Sequence, residues 1–228
     1  MSKLYDPEKP DLAFADWLAH CFDHETTGPV WHHDPYAPDW RGPASLTIRL
    51  LTRLFDAPDI ALSAYSDAQV NQGLWYIVHN ACSDHMHALV DDSVPLAERV
   101  ACLLSIESLY ARCFAARCSN HLSHGVHPGD DMSPLNSACY MFWDLMPLIP
   151  VPEDPERHAL GQAVLHVLEA ALHLPSVACQ ESALHGLGHW EWGYPDEVRA
   201  IVARYLARAQ PTGALRDYAL HAAEGNVQ

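Results

Sequence analysis

The stretch LPSVACQESALHGLGHWEWGYPDEVRAIVARYLARAQPTGALRDYALHAA, residues 174–223, reads as three helices with their boundaries marked. Pro175 and Ser176 open the first, because a proline in the first turn forfeits only an N–H that would be unpaired anyway. Its body, Val177 to Trp192, carries Ala183, Leu184, Leu187 and Trp190 on one side. Gly193-Tyr194-Pro195 closes that helix and starts the next. Asp196 and Glu197 then suit the positive end of a helix, and Arg204 and Arg208 suit the negative end. Val198, Ile201, Val202, Tyr205 and Leu206 follow at helical spacing, Pro211-Thr212-Gly213 makes a second break, and Leu215, Tyr218, Ala219 and Ala222 mark the third helix. Helices joined by breaks this short pack as antiparallel neighbours.

Working outward, the same punctuation recurs. Asp11–Phe22 is a short amphipathic helix, and residues 25–41 form a loop rich in Pro, Trp, His and Asp. Ala44–Phe55 is helical. Ser66-Asp67-Ala68-Gln69 is close to a capping box, and the helix it opens runs towards Val90. Leu96–Arg117 is apolar on most sides, which marks a central helix. Residues 118–134 form a polar loop, and Leu135–Leu148 and Pro155–Leu172 are helical again. No segment alternates as a strand does. The expectation is one all-α domain over residues 1–228: an N-terminal helix and Pro/His-rich loop (1–42), central helix pairs (43–150) and C-terminal helices (154–224).

The segment Glu181-Ser-Ala-Leu-His-Gly-Leu-Gly-His189 resembles the inner helix of a HEAT- or armadillo-type repeat, over roughly the last seventy residues. That resemblance implies an irregular stack of antiparallel helix pairs; the alternative is a compact helical bundle. Successive pairs at 43–90, 95–148, 154–190 and 195–223 fit it unevenly. The last step is 41 residues, inside the ~40–47 residue period of such units, and the earlier steps are longer. The middle of the chain also resembles an uncharacterised bacterial family, which carries no activity with it.

The formal charge is −16, from 29 acidic and 13 basic residues. Eight acids and two lysines fall in residues 1–40, and ten acids and five arginines fall from Glu153 onward. Such a field repels nucleic acid and anionic membranes and speeds encounter with basic partners. No apolar run approaches the ~20 residues of a membrane span, and Met1–Pro10 has no signal-peptide core. Seven cysteines, odd in number and scattered, point to a reducing cytoplasm without a disulfide framework.

Sixteen histidines pose the question of a metal. His121, His124 and His127 recur every third residue near Cys118, Asp130 and Asp131. His79, Cys82, His85 and His87 make a second group. His185 and His189 share one helix face with Glu181 a turn earlier, a spacing that can chelate zinc. Gly186 stands where a zinc protease of that type needs a glutamate, and the His33-Asp34 pair precedes Pro35 in a loop. The sequence reading therefore assigns no metal and no cofactor. Glu107 in the central helix is expected to pair with Arg112 or Arg99.

At 100° per residue, Glu181, His185, Gly188, His189 and Trp192 fall opposite the apolar side of their helix. In a stack of helix pairs that face lines the concave binding groove. The partner-binding residues expected are Glu181, His185, His189 and Trp192, with Asp130 and Asp131 in the polar loop. The function expected is an acidic, cytoplasmic protein-binding module without enzymatic activity. An immunity or inhibitor protein that neutralises a basic bacterial toxin domain fits best, since charge accelerates such capture. The alternative is an all-α metal-dependent hydrolase that uses a histidine cluster.

Overall fold

The computed structural model describes residues 10–123 and 132–227. Every regular element among them is helical. In chain order they are α1 (Pro10–Phe22), a 3-10 turn at Trp31–His33, α2 (Ala44–Asp56), α3 (Pro58–Ala61) and α4 (Asp67–Val78). A 3-10 segment (His85–Val90), α5 (Leu96–Leu109), a π turn (Tyr110–Phe114) and α6 (Ala115–Arg117) follow. The chain then forms α7 (Leu135–Met141), α8 (Pro155–Ala171), α9 (Val177–Trp190), α10 (Pro195–Ala209) and α11 (Gly213–Ala222).

The local chemistry explains most boundaries. Ser66 Oγ accepts the Gln69 N–H at 3.3 Å while Gln69 Oε1 accepts the Ser66 N–H at 3.1 Å, a complete capping box that starts α4. Asp154 Oδ1 accepts the Arg157 N–H at 2.8 Å and starts α8. Pro58, Pro155 and Pro195 occupy first turns. Gln210, at φ 44°, ends α10 in the left-handed region, a position glycine usually takes.

Two boundaries differ from expectation, and one helix changes pitch within its expected bounds. The helix opened by Ser66 stops at Val78, and residues 79–84 turn the chain before the 3-10 segment. Apolar spacing continues across the turn because both pieces bury their side chains in one core. Likewise α7 ends at Met141, and residues 142–148 run on as turns that bury Phe142, Trp143 and Met146. The central helix does run from Leu96 to Arg117, but after about four turns it widens to π geometry at Tyr110–Phe114.

The helices touch in two series. In one, α2 packs on α5, α5 on α8 and α8 on α10; in the other, α1 packs on α4, α4 on α7, α7 on α9 and α9 on α11. Contacts of α8 with α9 and of α10 with α11 join the series. A single core of large side chains lies between them, including Trp17, Leu51, Phe55, Leu103, Tyr110, Phe142 and Leu184. On the central helix Leu104 is 39% exposed, whereas Leu103 is fully buried. Glu107 is also exposed and faces His166 at 3.6 Å, not an arginine. Arg99 is buried and reaches Glu156 at 2.5 Å and Asp92 at 3.4 Å.

Helix α9 is buried on nearly every side. Its glycines are needed for close approach. A Cβ at Gly186 would stand 2.7 Å from Leu168 Cδ2 and 2.9 Å from Trp143 Cδ1. One at Gly188 would stand 2.5 Å from both Val227 methyls. The glycines cost helix propensity, roughly 1 kcal/mol each, and in return two side-chain layers close onto the helix backbone.

Candidate functional site

Because α9 is interior, the face assigned to a groove is not all surface. Glu181 and His185 are buried, His189 is half-buried, and only Trp192 stands well into solvent. The groove assignment fails at Glu181 and His185 for one reason: α7, α8, α10 and α11 surround α9, and helical periodicity cannot count neighbours. Asp130, Asp131, His124 and His127 lie outside the described residues, and His121 is exposed.

What the interior face holds is a polar chain. His189 Nε2 is 3.1 Å from His185 Nε2 and 3.4 Å from Asp144 Oδ1. His185 Nδ1 is 2.7 Å from the Tyr218 hydroxyl on α11, which is 3.1 Å from the Tyr140 hydroxyl on α7. Burial pushes the Tyr218 hydroxyl far above its ordinary pKa, and the hydrogen bond to Tyr140 adds to the shift. Glu181 accepts the Ser123 N–H at 2.6 Å. The four-residue spacing brings the two imidazoles together. Asp144 arrives from the turn after α7, and nothing in its sequence spacing pairs it with them. One ligand atom from each of Asp144, His185 and His189 lies within 4.8 Å of the other two.

A second cluster surrounds a cavity of about 600 Å³ lined by His32, His33, Asn71, Gln72, Trp75, His79 and Cys82. His32, His33 and Cys82 each place a ligand atom within 4.8 Å of the others. Among the described residues, neither ring nitrogen of His32 nor Gln72 Oε1 has a hydrogen-bond partner. Burial, then His33, His79 and His24, lowers the His32 pKa to about 4. The sequence grouped His79, Cys82, His85 and His87, but the chain turn at 79–84 separates them. His85 goes fully inside, where Trp17 Nε1 donates to its Nε2 at 2.9 Å and its Nδ1 lies 2.8 Å from Ser83 Oγ. His87 stays outside, 3.8 Å from Asp84.

The third feature is apolar. Trp192 is 65% and Ile149 62% exposed. The segments that carry them touch, since a Cβ at Gly193 would stand 2.4 Å from Pro150 Cβ. Carboxylates flank this edge: Glu153, Asp154, Asp196 and Glu197 are all exposed. Burial raises the Tyr194 hydroxyl above its ordinary pKa, and the charges of Glu197 and Glu153 add to it.

Comparison of the chain with protein-family models, with curated proteins and with solved structures gives no match. The residues and their geometry therefore carry the functional argument alone. No helix among the described residues is long and apolar enough to cross a membrane.

Proposed function

We propose that this chain is an acidic protein-binding module that captures a basic partner, as an immunity or inhibitor protein does. The observation that carries the reading is the Trp192–Ile149 edge, an exposed aromatic and aliphatic pair flanked by carboxylates on a chain of charge −16. Aromatic anchors supply much of the energy at interfaces, and complementary charge supplies rate. The two series of helix contacts support a HEAT-like stack, because α2-α5-α8-α10 and α4-α7-α9-α11 is the order in which successive helix pairs would lie. In that reading Trp192 sits at the end of an inner-series helix, the row that faces a partner.

The test is binding kinetics of the intact protein against the product of the adjacent gene. Association that slows at least about tenfold between low and high salt, with weaker binding for Trp192→Ala, supports capture of a basic partner. Binding insensitive to both changes removes the reading.

A further inference from the structure

We infer that Asp144, His185 and His189 form a binding site for one zinc-class divalent metal ion. His189 Nε2 faces two other polar atoms, His185 Nε2 at 3.1 Å and Asp144 Oδ1 at 3.4 Å. An imidazole nitrogen carries either one hydrogen or one lone pair. If His189 Nε2 carries the hydrogen, two acceptors compete for it. If it carries the lone pair, an ionised Asp144 meets lone pair with lone pair. No tautomer gives both contacts a full hydrogen bond of their own. A cation between the three atoms satisfies all of them at once, because each then offers a lone pair.

The dimensions agree. Zinc holds imidazole nitrogen and carboxylate oxygen at roughly 2.0–2.2 Å in a tetrahedral arrangement, which sets neighbouring ligand atoms about 3.3 Å apart. The separations of 3.1 Å and 3.4 Å at His189 Nε2 bracket that spacing. Two imidazoles and one carboxylate suit zinc, and cobalt(II) as its optical substitute, better than calcium or magnesium.

The surroundings are those of a held ligand set. Tyr218 lies 2.7 Å from His185 Nδ1 and fixes that ring from behind, so that Nε2 faces His189. Such an outer partner is the usual means of orienting a metal-bound histidine. Both histidines stand on one helix, α9, which is packed on nearly every side, so the pair is rigid. Asp144 and His189 are each 38% exposed at the side chain, which gives an ion an entry path and leaves a coordination position facing solvent. The inference is independent of the partner-binding reading, since Trp192, which lies past the end of α9, is not among the ligands.

The experiment uses the full chain purified without a histidine tag, titrated with zinc by calorimetry and with cobalt(II) by visible absorbance. The expected result is one equivalent bound, with the cobalt(II) d–d bands of a nitrogen- and oxygen-ligated site, and a melting temperature that rises with added zinc. Asp144→Asn and His189→Gln, half-exposed positions where folding is checked by circular dichroism, should each weaken binding at least about tenfold, and Tyr218→Phe by roughly 10–100-fold. His33→Ala with Cys82→Ser should leave it unchanged. No binding by the wild-type chain overturns the inference. So does binding that survives Asp144→Asn and His189→Gln, or that is lost in the His33 and Cys82 variant, which would place the ion at the other cluster.

Discussion

The Tyr218 hydroxyl stands 2.7 Å from His185 Nδ1, so the last helix is tied to the most buried one by a hydrogen bond inside the core. Tyr140 extends the tie to α7 at 3.1 Å. Three helices thus meet at one phenol. Removing that oxygen leaves polar groups on two of them short of a bond. Tyr218→Phe should cost about 1–3 kcal/mol of stability, the range for a buried hydrogen-bonding group deprived of its partner. Urea unfolding of wild type and variant without metal measures it. A loss below about 0.5 kcal/mol would mean that the bond adds nothing to the fold.

Leu103 and Leu104 are neighbours with opposite fates, since one is fully buried and the other 39% exposed. Leu103→Ala should cost about 2–5 kcal/mol through the cavity it opens. Leu104→Ala should cost less, under about 1.5 kcal/mol, since solvent already reaches the side chain. Equal losses from the two variants, in denaturant midpoint and slope, would misplace the core.

His85 should make stability depend on pH. Trp17 Nε1 donates to His85 Nε2, so the ring is neutral there and its Nδ1–H donates to Ser83 Oγ, whose own hydrogen goes to the Tyr76 carbonyl. Protonating Nε2 would set one donor against another. Burial, with His20 adding to it, pushes the pKa down to about 3. The folded value is depressed below the unfolded 6.5, so the unfolded chain binds one more proton between those limits. Stability from this group is complete above about pH 6.5 and is lost as pH falls towards 3, by at most about 1.4 kcal/mol per pH unit. His85→Gln should flatten the pH dependence of the urea midpoint between pH 6 and 4. An unchanged slope would mean that His85 already titrates normally.

Trp192→Ala should leave the melting temperature almost unchanged, because a side chain 65% exposed contributes little to the core. Against a basic partner it should cost about 2 kcal/mol or more in affinity, mainly through faster dissociation, while added salt slows association. Surface-based kinetics at two salt concentrations separate the two effects. A variant that binds as tightly as wild type would remove Trp192 as an anchor.

The helices were legible wherever the signal was local. Ser66 and Gln69, Asp154 and Pro155, and the breaks at Gly193–Pro195 and Pro211–Gly213 set boundaries through atoms a few residues apart, and α9, α10 and α11 fall where those marks put them. What the sequence could not give was which face of a helix meets solvent when neighbours lie on every side. Glu181, His185, His189 and Trp192 fall on one face at helical spacing, yet the first two are interior and Trp192 lies past the end of α9 in solvent. The site partners were hidden for a related reason. Asp144 meets His189 across 45 positions, and His33 approaches Cys82 across 49, distances over which residue spacing carries no information. That Trp143 and Val227 would close onto Gly186 and Gly188 likewise depends on the fold.

The bare backbone at Gly186 has a practical outcome. Trp143 lies against it, one residue from Asp144 in one direction along the chain, while Gly186 is one residue from His185. The indole is 3% exposed, and its N–H has no hydrogen-bond partner among the described residues. The ring therefore sits in a closed slot, stacked on Tyr110 and bounded by the two segments that a bound ion would draw together. Emission from an indole depends on its surroundings, so Trp143 is a built-in optical reporter. Subtracting the spectrum of Trp143→Phe from that of the wild type would isolate its signal from the six other tryptophans. Occupancy at Asp144, His185 and His189 could then be followed in real time without attaching a dye to the molecule.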